Sequence, residues 1–99
     1  MGEGIRLAEM SVEEAEGAVG YAMMALSNKE RGVAGTMVND LVTMAGQELE
    51  HSEKLMTHAQ RMVSETGDAT SKGIVEYLKE KRMDTCLKAK AGIAKVKGG

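Results

Sequence analysis

Residues 37–63 read MVNDLVTMAGQELEHSEKLMTHAQRMV, and apolar side chains recur through this stretch in steps of three and four. One line runs Val38, Val42, Ala45, Leu49, Ser52, Met56, Ala59, Val63. A second runs Met37, Leu41, Met44, Glu48, His51, Leu55, His58, Met62. The 3.6-residue period of an α-helix places each line on one face. The stretch holds no proline, and Gly32 to Gly35 lie before it and Gly67 after it, so it reads as one helix over about 36–65.

Working outward, the preceding segment repeats the plan over about 4–30. Ile5, Ala8, Val12, Ala15, Val19, Ala22 and Leu26 form one apolar seam. Leu7, Met10, Glu14, Gly17, Tyr21, Met24 and Asn28 form another. Beyond Thr66-Gly67-Asp68 a third helix is expected over about 71–96, with Gly67 in the left-handed position and Asp68, Thr70 or Ser71 as its cap. Ile74, Val75, Leu78, Met83 and Leu87 supply it with some apolar cover. A two-helix hairpin consumes about one seam of each helix. The remaining seams therefore need the third helix or a second copy of the chain, because a bare apolar face invites aggregation.

Composition agrees with an all-α fold. The 99 residues are 42% hydrophobic, with no Pro, Trp or Phe and only two Tyr, which leaves little for strands. A net charge of −2 is too small for a solvated coil, and the length suits one domain. Cys86 is the only cysteine, so no intramolecular disulfide can form; a small buried apolar role and a reducing, cytoplasmic setting are expected. No stretch approaches the roughly 18 consecutive apolar residues of a membrane span, and Glu3, Glu9, Glu13 and Glu14 do not suit a secretory leader. Residues 1–67 carry 5 Lys/Arg against 11 Asp/Glu, a net −6, whereas 68–99 carry 8 against 4, a net +4. The basic block lacks the aromatic platform that nucleic acid binding favours, so it reads as a solvated helix lying near an acidic hairpin.

The chemistry lies where polar residues interrupt apolar seams. Glu13, Glu16, Glu50 and Glu53 fall on faces expected to be wet, but Glu14, Glu48 and His51 stand where apolar side chains are due. A carboxylate withdrawn from water needs an opposite charge or a metal. Glu48 and His51 are three residues apart on one helix face, the Glu-x-x-His spacing found in dinuclear carboxylate sites of helical bundles. In an antiparallel hairpin turning at Gly32–Gly35, Glu14 comes within about one helical turn (~5.4 Å) of their height.

Glu14 with Tyr21 seven residues later, then Gln47-Glu48-Leu49-Glu50-His51-Ser52-Glu53-Lys54-Leu55, resembles the first two helices of the ferritin-like superfamily, as in bacterioferritins and rubrerythrins. The resemblance covers roughly residues 5–65. It implies Glu14 as a terminal carboxylate, Glu48 as a bridging carboxylate, His51 as a nitrogen ligand and Tyr21 hydrogen-bonding beside them. Full members carry a second Glu and a second Glu-x-x-His; here the third helix has Glu76, Glu80 and Asp84 but no histidine. A homodimer would supply the missing half, completing a four-helix bundle with two irons, similar to the half-sized encapsulated-type ferritins, whose partners include an enclosing shell. Oxidation of Fe(II) by oxygen or peroxide is the activity implied.

Plainer readings stand beside this one. Ser11-x-x-Glu14 also reads as a capping box. Glu48 and His51 could pair with each other or with cations of the third helix. The bundle could be a metal-free interaction module, or hold a structural zinc or manganese without turnover. His58 reads as a packed or interface histidine, and the methionines as adaptable filler rather than a thioether site, since they are spread along the helices.

Overall fold

Glycine and aspartate mark the ends of three helices. The computed structural model describes residues 2–98, which form α1 (Gly2–Glu30), α2 (Gly35–Thr66) and α3 (Ala69–Gly98). After α1 the Val33 amide donates to the Asn28 carbonyl at 2.9 Å, and Gly32 takes φ 76°, a conformation that costs a glycine little. Gly67 ends α2 as expected, at φ 70°, with its amide on the Val63 carbonyl at 3.3 Å. Asp68 is the cap of α3. Its Oδ1 accepts the Thr70 amide at 3.1 Å and its Oδ2 accepts the Ser71 hydroxyl at 2.6 Å. The Ser71 hydroxyl, helped by the Thr70 and Ser71 amides, holds the Asp68 carboxyl below its usual 3.8 despite some desolvation.

The interior is built from small side chains. Ala8, Ala15, Ala18, Ala22 and Ala25 of α1 are at most 1% exposed, as are Ala45 and Ala59 of α2 and Ala89 of α3. On α2 the buried residues are Val38, Ala45, Ser52, Met56, Ala59 and Val63, all from the expected seam. On α1 the seam is rotated from the expected one. Gly4, Ser11, Ala18 and Ala25 join Ala8, Ala15 and Ala22 at the centre, while Ile5, Val19 and Leu26 are only half-buried. The reason is steric: helices approach most closely where side chains end at Cβ, and bulkier residues are left to flank the contact. A Cβ on Gly4 would stand 2.7 Å from Val63 Cγ1, and one on Gly92 3.1 Å from Ala22 Cβ.

α3 packs on its own hairpin, more extensively against α1 than against α2. Val75, Cys86, Ala89 and Val96 are its buried apolar residues, so Cys86 has the small apolar role expected. Met83 and Leu87 give the hairpin only marginal cover: they line a groove with Leu49, Glu50 and Glu53 of α2 and stay 52% and 64% exposed. Three clusters run along the axis, around Ala8–Met56–Val75, Ala18–Ala45–Ala89 and Ala25–Val38–Val96. The molecule is a rod of 52 × 17 × 15 Å. Among the described residues no helix is long and apolar enough to cross a membrane.

Candidate metal centre

The three residues singled out in the seams come together on one side of the hairpin. Glu14 projects from α1 and His51 from α2, and His51 Nδ1 lies 3.4 Å from Glu14 Oε1. Glu48, one turn from His51, reaches across to α1. Its carboxyl carbon and Oε2 are 3.8 Å from the point where a Cβ on Gly17 would sit, an ordinary contact distance. Glu14, Met44, Gln47, Glu48 and His51 line one open hollow of about 310 Å³, and no α3 residue lines it. Glu14 lies within a helical turn of the Glu-x-x-His pair, as expected, since it reaches His51 at 3.4 Å.

Height is held by a pair of residues whose role the sequence did not disclose. Ser11 Oγ donates to the Ser52 carbonyl at 2.5 Å and Ser52 Oγ donates to the Ser11 carbonyl at 2.6 Å. Both serines are fully buried, and Arg82 Nε of α3 donates to Ser52 Oγ at 2.7 Å. Ser11 precedes Glu14 by one turn and Ser52 follows His51 directly, so the same bonds that align the helices align the candidate site. The capping-box reading of Ser11 and Glu14 fails because α1 begins at Gly2, leaving Ser11 in mid-helix. The available signal was a serine at matching height in each of two otherwise small or apolar seams.

The other residues divide by environment. Glu13, Glu16, Glu50 and Glu53 are exposed, as expected. Tyr21 is half-buried and packs its ring against the Ala18–Ala45–Ala89 cluster beside Leu49 and Ile93. His58 is exposed and lines other hollows, away from the one His51 lines. Around Glu14, Glu48 and His51 the second seams remain open: Met10, Met24, Met37 and Met44 are 39–57% exposed.

A single chain supplies donors without enclosing a metal. Among the described residues no group of three or more His, Cys, Asp or Glu is disposed to hold an ion. The donor types are nevertheless two carboxylates and an imidazole, a set suited to iron, manganese or zinc rather than to thiolate-seeking metals. In comparison with known proteins, no family model, no curated protein and no solved structure matches the chain.

Proposed function

We propose that two copies of this chain pair their open α1–α2 faces and bind two iron ions between them, catalysing oxidation of Fe(II) by oxygen or peroxide. The observation that carries this reading is the convergence of Glu14, Glu48 and His51 on one hollow that α3 leaves uncovered. Two copies bring four carboxylates and two imidazoles, matching the charge of two divalent cations and the ligand count of a bundle site. The exposed Met24, Met37 and Met44 of the same face supply the apolar surround that pairing would bury.

Each residue has a definite task in this reading. Glu48, whose carboxyl lies over Gly17 of its own chain, would be one of the carboxylates that hold the ions. His51 Nδ1 lies 3.4 Å from Glu14 Oε1, which leaves Nε2 as the nitrogen that would ligate a metal. Glu14, beside it, would ligate through its carboxylate. Bound iron would supply the one-electron chemistry; the carboxylates would neutralise charge as it rises from ferrous to ferric.

Metal analysis of freshly purified protein, paired with sedimentation, tests the proposal. About one iron per chain in a dimer is expected, lost in Glu48→Ala and His51→Ala. Stopped-flow mixing with Fe(II) should then show oxidation faster than in buffer. A metal-free monomer unaffected by these substitutions would overturn the reading. Zinc or manganese without turnover would reduce it to a structural site.

A further inference from the structure

A second hollow on the open face joins the N-terminal part of α1 to the C-terminal half of α2, and its lining is Glu3, Arg6, Leu7, Met10, His58 and Met62. In sequence Met10 and Met62 are far apart; the antiparallel hairpin brings both to one cleft with an imidazole. Side chains on a helix lean toward its N-terminus. Because α1 and α2 run in opposite directions, this tendency draws Met10 and Met62 toward each other from heights six residues of α1 apart, Met62 Cβ lying 3.6 Å from where a Gly4 Cβ would stand. His58 is one turn from Met62 on the same helix and is exposed to solvent.

We infer that this hollow is a soft-metal site, binding Cu(I) through the thioethers of Met10 and Met62 and the imidazole of His58. The donor chemistry chooses the ion. Thioether sulfur is uncharged and polarisable, which suits Cu(I) and serves Mg(II), Ca(II) or Mn(II) poorly. The charges in the hollow choose it again. The lining holds one carboxylate, Glu3, and one guanidinium, Arg6, so a hard divalent cation finds no net negative charge there, whereas a monovalent soft ion held by neutral donors needs none. His58 is seven residues beyond His51 on α2, about 10 Å along the axis, which makes this a separate site from the carboxylate one. The inference does not depend on the iron reading.

The test is anaerobic titration of the intact chain with Cu(I) in competition with bicinchoninate, with sulfur ligation followed by X-ray absorption at the copper edge. The intact protein is expected to withdraw about one Cu(I) per chain and to show copper–sulfur scattering. Met10→Leu with Met62→Leu, a volume-conserving pair, and separately His58→Ala, should lose that copper while keeping the helical circular dichroism of the parent. Glu48→Ala with His51→Ala should retain it, and added Mn(II) should not displace it. The inference is overturned if the intact chain withdraws no copper, if binding survives the double methionine substitution, or if it is lost instead in Cys86→Ser.

Discussion

Ser11 and Ser52 exchange hydrogen bonds across the α1–α2 seam, each hydroxyl donating to the other's backbone carbonyl, at 2.5 and 2.6 Å. With Arg82 bound to Ser52 Oγ, all three helices meet at this point. Ser52→Ala removes the acceptor of the part-buried Arg82 Nε–H and the second donor to the buried Ser11 carbonyl, which keeps its helical amide. Urea unfolding should show a loss of about 1–3 kcal/mol. Ser27→Ala, on the exposed face of α1, should stay within about 0.5 kcal/mol of the parent.

Two glycines of α1 should respond to alanine with opposite signs. At Gly17 a methyl group meets only the Glu48 carboxyl at 3.8 Å, an ordinary contact, so Gly17→Ala should stabilise by about 0.5–1 kcal/mol through helix propensity. At Gly4 the methyl would stand 2.7 Å from a β-branched side chain, and Gly4→Ala should destabilise by about 1–3 kcal/mol. Thermal midpoints of the two variants, measured side by side, check both signs.

The proposed pairing through the open face makes Met44 a sensitive position, because it lines the carboxylate hollow and is 39% exposed in the single chain. Met44→Lys should leave the helical content and the stability of the monomer within about 0.5 kcal/mol. It should also shift sedimentation to the monomer and lower iron content in step. Leu87→Lys, on the outer face of α3, should do neither.

Asp68 gives a pH dependence of known sign. Its pKa is lowered in the folded chain, first by the Ser71 hydroxyl and then by the Thr70 and Ser71 amides. A depressed carboxyl stabilises the fold fully above its unfolded value, near 3.8, and that contribution is lost as pH falls through the lower folded value. The difference in unfolding midpoint between the parent and Asp68→Ala should therefore be constant above about pH 5 and shrink under acid.

The helices were legible in the sequence because apolar period and punctuation agree. Gly67 and Asp68 mark both sides of the second turn, and no helix runs more than two residues past its expected ends. The α2 core line was readable because Val38, Met56 and Val63 are large enough to show a period. The α1 line was not: alanine and serine carry little hydropathy contrast, so Ile5, Val19 and Leu26 drew the eye to the flank of the true contact. Glu14, Glu48 and His51 could be found as polar interruptions of an apolar seam. The serine pair and the Met10–His58–Met62 hollow could not, since each depends on which heights α1 and α2 share, to within a turn. Met83 and Leu87 illustrate the same limit on α3, where the outward face holds apolar residues too.

The alanine-lined seam has a calorimetric consequence. The largest side chains wholly removed from solvent are those of Val75, Ser11 and Ser52, while most methionines lie at least partly outside. Heat capacity of unfolding follows the apolar area newly hydrated, about 12–15 cal/mol/K per residue in ordinary domains. A rod that buries methyl groups and hydroxyls has less to hydrate. The single chain should fall below that range, giving a shallow stability curve that changes little between refrigeration and body temperature.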